Sequence, residues 1–377
     1  MPLPLSGLLV VSLEQAVAAP LATCRLADAG ARVVKIERPE GDFARGYDSL
    51  AKGESIHFVW LNRGKESVVL DLTRDDDTSL LAALLARADV LVQNLKPGAL
   101  KKLGFDPLRL REAHPRLIVC SISGYGETGP YAQRKAYDLL VQAETGLASV
   151  TGGPSEPSRA GCSVADIAAG LAAYEAVLEA LIARGRTGEG ALLAVSLFDA
   201  LAEWMTVPLL QHEGGKTPQR IGLAHPGIAP YGVFASRDGD AVLISIQNDR
   251  EWRILARDVL GDAALADDPN FATNVARMAR RGETDARVQA VFGRLATDAL
   301  VESLAAAEIA FARVNDMAAL AQHPQLRRIT VETPHGPVPY PAPPRPACDG
   351  YGPVPALGAH TDRVRKEFMP MPTDVPA

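Results

Sequence analysis

The chain has 377 residues, 47% of them hydrophobic and 22% charged, which is ordinary for a soluble protein and long enough for two domains. A formal net charge of -6 argues against a nucleic-acid-coating role, no apolar run approaches the roughly 20 residues that cross a bilayer, and the start MPLPLSGLLVVSLEQ lacks the basic region and cleavage site of a signal peptide. The expectation is a cytoplasmic enzyme with neither nucleic acid nor membrane as partner.

Along the chain, short apolar runs alternate with helical patterns. Residues 8–13 and 32–37 read as buried strands, and they flank a segment, 16–29, whose leucines and alanines recur at helical spacing until Gly30 ends it. Further strands are predicted at 67–72, 89–93 and 117–121, with a helix at 79–88. Strands separated by helices imply an α/β fold with a mostly parallel, doubly wound, Rossmann-like sheet, whose ligands sit beyond the carboxyl ends of the strands. The polar groups in those places are Glu14-Gln15, Glu37-Arg38-Pro39, Gln93-Asn94 and Ser123-Gly124-Tyr125-Gly126. No G-x-G-x-x-G follows the first strand and no G-x-x-x-x-G-K-[ST] occurs, so the usual glycine cradles for phosphate are missing. Scattered cations would have to serve instead, and Arg38, Arg45, Lys65, Lys96, Lys101 and Lys102 are the candidates.

Two acidic residues open successive helices, Asp138 after Lys135-Ala136-Tyr137 and Asp166 after Ser163-Val164-Ala165. A carboxylate in the first turn of a helix feels the positive end of the backbone dipole and can accept free N–H groups, so Asp166 is expected to be ionised and rigidly held. That makes it either a helix cap or a nucleophile. The helix 166–184 places Ile167, Leu171, Tyr174, Leu178 and Leu181 on one face, and the glycines of 185–190 end it. A strand at 192–196 and a helix at 197–211 follow. The expected organisation is a large domain over 1–212, a linker at 213–224, a smaller α+β domain over 225–322, and a return segment, 323–377, packing on the large domain. The small domain should contain a hairpin of 231–236 and 241–247 and helices within 249–260 and 275–307. Cys24, Cys120, Cys162 and Cys348 stand far apart without metal-ligand spacing, so they read as reduced thiols, with neither metal site nor disulfide framework.

Several collinear blocks carry a family resemblance: LSGLLVVSLEQAVAAPLATCRLADAGARVVKIERPEGD, ADVLVQNLKPGALKKLGFD, ISGYGETGPY, KAYDLLVQAETGL, SVADIAAG, RTGEGALLAVSLFDAL, PYGVF and LGAHTD. The chain resembles the family III CoA-transferases, which include formyl-CoA and carnitine CoA-transferases and, as relatives, α-methylacyl-CoA racemases. The resemblance implies CoA thioesters as substrates with no permanently bound cofactor, and an interlocked homodimer. It implies Asp166 as nucleophile, Gln15 as the residue orienting acyl groups, and Asp138 as its acidic partner. It implies CoA contacts at Arg38, Leu70, Asn94, Lys102 and Lys135. Leu95 replaces a phenylalanine found near adenine, and Thr73 replaces a lysine.

In the implied mechanism Asp166 attacks an acyl-CoA such as succinyl-CoA, an aspartyl anhydride and then an aspartyl-CoA thioester form, and CoA passes to a small carboxylic acid. Residues 222–227 are a candidate lid excluding water. A racemase would carry His before Asp138, where this chain has Tyr137, which leaves α-methylacyl-CoA racemisation as the alternative, followed by acyl-CoA hydrolysis or non-catalytic CoA binding. The wording VVSLEQAVAAP, DFARGYD, HFVWLNRGKES and KAYDLLVQAE resembles the subgroup acting on mesaconate, citramalate, itaconate and succinate. A second carboxylate would need a cationic partner, for which Arg45, Arg63, Arg220 and His225 are candidates.

Overall fold

The computed structural model describes residues 3–344 and 350–369; Cys348 lies outside them. The chain divides into two compact units, one built from residues 3–148, 159–209 and 327–369, the other from 149–158 and 210–326.

Six parallel strands form the centre of the first unit: β1 (Leu9–Leu13), β2 (Arg32–Glu37), β3 (Lys65–Val69), β4 (Val90–Gln93), β5 (Ile118–Ser123) and β6 (Leu192–Ser196). Their order is β3-β2-β1-β4-β5-β6, so the direction of winding reverses between β1 and β4 and a crevice opens beyond their carboxyl ends. Alternate side chains serve opposite layers. Val10, Val33 and Val90 pack with the helix Ala18–Asp28 and the long helix Val164–Thr187, whereas Val11, Val34 and Leu91 pack with the helix Asp75–Arg87. Both faces are therefore covered, which is the α/β arrangement the sequence implied.

Several elements differ from the sequence reading: the helix expected at 79–88 begins four residues earlier, at Asp75, and β5 ends two residues later, at Ser123. The third strand lies at Lys65–Val69, two residues earlier than expected, because Lys65 is buried with its Nζ 2.6 Å from Glu14 Oε1 and so tolerates an interior strand position. Its pairing with β2 ends at Glu37 opposite Val69, after which the Asp71 carboxylate accepts the N–H and hydroxyl of Thr73 in a turn. The helix expected over 197–211 is two, Leu197–Trp204 and Thr206–Glu213, because Pro208 has no N–H to offer the Trp204 carbonyl. The helix bearing Asp166 runs farther than expected at both ends, Val164–Thr187, and closes on Gly188 at φ 79°.

The second unit holds an antiparallel sheet of β7 (Tyr231–Ala235), β8 (Ala241–Ser245) and β9 (Ala310–Arg313) over a core that includes Ile244, Trp252, Phe292 and Leu300. Within it the short excursion 149–158 is tied in by the Gly222 N–H, which donates to the Gly152 carbonyl at 2.9 Å.

From residue 327 the chain belongs to the first unit, where β10 (Arg328–Val331) pairs with β11 (Val338–Pro341). The segment Leu357-Gly358-Ala359-His360-Thr361 then lies along the outer edge of β3. Gly358 N–H donates to Ser67 Oγ at 2.8 Å, Ser67 N–H to His360 Nδ1 at 3.1 Å and Val69 N–H to Thr361 Oγ1 at 3.0 Å. Strand groups that would otherwise be an open edge are thereby paired.

Candidate active site

The crevice between β1 and β4 is closed at its base by two residues that follow those strands. Gln15 N–H donates to Asn94 Oδ1 at 2.9 Å, and Asn94 Nδ2 donates back to the Gln15 carbonyl at 2.8 Å. The next residue, Ala16, adopts φ +62°, a conformation a non-glycine residue takes only when its surroundings hold it there. One such hold is its N–H, which donates to Asp42 Oδ1 at 3.2 Å. Asp42 is in turn buried against Lys35 at 2.7 Å, and Lys35 lies 3.6 Å from Glu14, which also accepts from Thr23 and Lys65. A buried network of paired charges thus fixes the backbone at the mouth of β1.

Beyond β5, Gly124 lets the following loop approach closely, since a Cβ there would stand 2.1 Å from the Cβ of Ala136. That contact positions Tyr137 and the helix Asp138–Glu144. Asp138 Oδ1 accepts the N–H of Ala165 at 2.8 Å and of Asp166 at 3.3 Å, and Oδ2 accepts from the buried Gln142 at 2.7 Å. Asp138 is therefore the cap of the long helix, a task that the adjacent Ser163 side chain does not perform. The expectation of a fully ionised Asp166 needs correction: the free N–H groups go to Asp138, and burial together with the Asp138 charge pushes the Asp166 carboxyl up to about 7.

Asp166, Asp138, Tyr137, Gln15, Asn94 and Lys135 line one cavity of about 510 Å³. Arg38, Leu70 and Thr73 line a second, of about 370 Å³, beyond β2 and β3, and Gln15 and Leu95 belong to both. The sequence-selected residues thus fall into two adjoining groups. Lys96 lines the first cavity; Lys102, exposed on the short helix Ala99–Lys102, lines neither, and Lys101 pairs with Asp106 at 2.8 Å.

Three proposed cations are unavailable. Lys65 is buried on Glu14. Arg45 forms a two-point pair with Glu37 at 2.8 and 2.7 Å and lies 3.7 Å over the Phe58 ring. Burial alone would raise the Glu37 carboxyl, but Arg45 and Lys35 outweigh it and hold it at about 2. Arg63 is buried on Asp28 at 2.5 Å. Arg220 and His225 belong to the second unit, where Arg220 donates to the carbonyls of Gly153 and Ser149 and His225 stacks on Tyr231. Residues 222–227 lie in that unit as well.

Sequence reasoning missed Phe43, Tyr47 and His57, which all line the first cavity. Phe43 and Tyr47 sit around a single 3-10 turn and His57 on a helix of six residues, elements too short to show a periodic face. Among the described residues there is no group of His, Cys, Asp and Glu that would hold a metal ion, and no helix is long and apolar enough to cross a membrane.

A family model described as CoA-transferase family III matches residues 5–361. The chain is 38% identical to an acetyl-CoA:oxalate CoA-transferase of Acetobacter aceti over 331 residues, covering 85% of this chain and 83% of that one. It is 40% identical to a succinate–glutarate CoA-transferase of Agrobacterium fabrum over 290 residues, covering 74% and 72%. The crystal structure of a CAIB/BAIF family protein from Brucella suis superposes with a TM-score of 0.84 at 35% identity, covering 98% of this chain and all of that one. With a match over nearly its whole length, and a nucleophile candidate at the crevice where such folds bind their ligands, the chain belongs to CoA-transferase family III and is an enzyme that transfers CoA groups.

Proposed function

We propose that the chain moves CoA from an acyl-CoA donor such as succinyl-CoA to a small dicarboxylic acid, with Asp166 as the covalent nucleophile. The observation that carries this reading is the Asp166 carboxyl itself, half-buried in a cavity and raised to about 7, so that near neutral pH a substantial fraction is ionised yet poorly stabilised as an anion. In the first step a carboxylate oxygen of Asp166 attacks the thioester carbonyl, the C–S bond breaks, and CoA leaves as thiolate with an aspartyl anhydride left behind. The thiolate then attacks the Asp166 acyl carbon, releasing the donor acid and forming an aspartyl-CoA thioester. The acceptor carboxylate attacks that thioester, CoA leaves again, and its attack on the acceptor side of the second anhydride yields the new CoA ester and free Asp166.

The cavity bearing Arg38, Leu70 and Leu95 suits the nucleotide end of CoA, with an exposed cation near its phosphates and apolar side chains for a base. Gln15 and Leu95, common to both cavities, would border the path of the pantetheine arm. A dicarboxylic substrate is supported by the names of the two relatives, which pair CoA with oxalate and with succinate and glutarate. Tyr137 argues against α-proton exchange, since a phenol is a poor base at neutral pH. We also propose that the chain acts as a homodimer, in which the exposed Val207, Leu209 and Leu210 would be covered; light scattering in solution tests it.

The deciding experiment incubates the protein with succinyl-CoA and mesaconate, itaconate, citramalate, malate, glutarate, oxalate or formate, and follows new CoA esters by mass spectrometry. A new dicarboxyl-CoA that is absent with Asp166→Ala supports the proposal. No new ester from any acid refutes it.

A further inference from the structure

The cavity around Asp166 holds a second carboxyl group, Asp138, so a substrate that brings a further carboxylate needs a cation to offset the repulsion. The lysine and arginine side chains lining it are Lys96, Arg134, Lys135 and Arg159, all exposed and so open to a ligand. Arg134 is committed, lying 3.3 Å from Glu144 and 4.1 Å over the Tyr131 ring. Lys96 follows Leu95, which is common to both cavities, and therefore stands on the nucleotide side of the crevice. Lys135 is one of the CoA contacts the family resemblance implies. Arg159 has no such assignment, and Arg45 and Arg63, nominated by sequence to receive a second carboxylate, are tied to Glu37 and Asp28.

The sheet order sets Arg159 apart from the nucleotide end. The cavity bearing Arg38 lies beyond β2 and β3, at one end of the order β3-β2-β1-β4-β5-β6, whereas Arg159 leads into the helix Val164–Thr187, which packs against β5 and β6 at the other. Its backbone is anchored to the reacting groups through one buried amide. Ala160 N–H donates to Gln142 Oε1 at 2.9 Å, and Gln142 Nε2 donates to Asp138 Oδ2 at 2.7 Å. The same Asp138 carboxylate accepts the Asp166 N–H, so the loop of Arg159 and the nucleophile share a fixed reference. The guanidinium itself is hardly spent. Among the described residues it makes one bond, from Nη2 to the Gly161 carbonyl at 3.5 Å, and has no carboxylate partner. The rise in the Asp166 carboxyl comes from burial and Asp138 with no cation opposing it, which agrees with a guanidinium standing away from the nucleophile, where the far end of a substrate would lie.

We infer that Arg159 determines acid specificity by pairing with the distal carboxylate of a dicarboxylic acid whose first carboxyl reacts at Asp166. This inference rests on the transferase reading and deepens it to one residue. A guanidinium offers two N–H groups to the two oxygens of a carboxylate, and that pair easily displaces a single long bond to a carbonyl. A monocarboxylic acid of the same length would set a methyl group there and gain nothing from the charge.

Succinate and butyrate differ only at the distal end and make the test, with acetyl-CoA as donor because its acyl group has no second carboxylate. The constants kcat and KM for each acid are measured in the wild type, in Arg159→Gln, which keeps the length and loses the charge, and in Arg159→Lys. Arg159→Gln is expected to lower the succinate-to-butyrate ratio of kcat/KM by about tenfold, mainly through KM for succinate, with Arg159→Lys recovering part of it. Added salt should lower the wild-type ratio and leave that of Arg159→Gln unaltered, since the pair is exposed to screening. An unchanged ratio, equal losses for both acids, a rise confined to KM for acetyl-CoA, or a ratio in Arg159→Gln that still falls with salt would overturn the assignment. Thermal melting identifies a variant that has merely failed to fold. Should the wild type transfer CoA to neither acid, the transferase reading fails separately, and calorimetric binding of the two acids in the presence of free CoA decides on Arg159. A preference for succinate that is lost in Arg159→Gln supports the assignment; an unaltered preference, no preference or no binding refutes it.

Discussion

Asp166 donates its backbone N–H to the Asp138 carboxylate at 3.3 Å, while its own carboxyl stands in the field of that same charge. One carboxylate thus anchors the helix start and, with burial, keeps its neighbour from ionising at the usual pH.

The first consequence concerns the pH dependence of the acylation step. Attack requires ionised Asp166, so its rate in single-turnover mixing with an acyl-CoA should rise through about pH 7. Asp138→Ala removes the second cause of the shift, so the rise should move to lower pH. The same variant loses the acceptor for two helix N–H groups, which should cost about 1 kcal/mol in denaturant unfolding.

Stability should show the opposite dependence. The Asp166 carboxyl is raised from 3.8 to about 7, so between those values the folded protein holds a proton the unfolded chain has lost, and stability falls as pH rises through that window. Asp166→Asn has no such ionisation. It should melt above the wild type at about pH 8, with the gap closing towards about pH 4, while transfer activity is abolished.

Behind the mouth of β1, Lys35→Met would leave Asp42 without its buried cation, and Glu14 with Lys65 alone. Breaking a buried pair of this kind costs about 3–5 kcal/mol, to be read from urea unfolding. Because Asp42 also receives the Ala16 N–H, activity measured on the folded fraction should fall too.

Gly124→Ala puts a methyl group where the Ala136 Cβ already is, and the loop carrying Tyr137 and Asp138 must move. Overpacking of this type costs about 1–3 kcal/mol. The expected signature is a larger loss in kcat than in melting temperature, since the displaced residues border the nucleophile.

Arg38→Ala should raise KM for the CoA ester and leave KM for the acceptor acid nearly unchanged, as steady-state kinetics varying each substrate in turn would show. A matching rise for both would place Arg38 outside the nucleotide end.

Much of this was legible in the chain, and the failures share a cause. β2 was read at its observed limits because the β-branched Val33, Val34 and Ile36 stand between Gly30, which ends the preceding helix, and the turn signal at Pro39. β3 was set two residues late because Lys65 reads as solvent-facing until Glu14 is seen beside it. Asp166 and Asp138 were found from their places at helix starts. The ionisation of Asp166 was misjudged because Asp138, distant by 28 residues, takes the N–H groups that a first-turn carboxylate would otherwise use. His57 left no signal, since a helix of six residues is too short to show which of its side chains meets the cavity.

The strap formed by residues 357–361 along β3 constrains the order of assembly. β3 is among the first strands to be synthesised, yet the residues sealing its edge are made only after the entire second unit has been translated. The pairs Arg32–Glu367 and Asp77–Arg365 join the same early and late stretches. A nascent chain therefore carries an open strand edge for most of its synthesis, and shielding that edge from neighbouring chains is a task for whatever meets it at the ribosome.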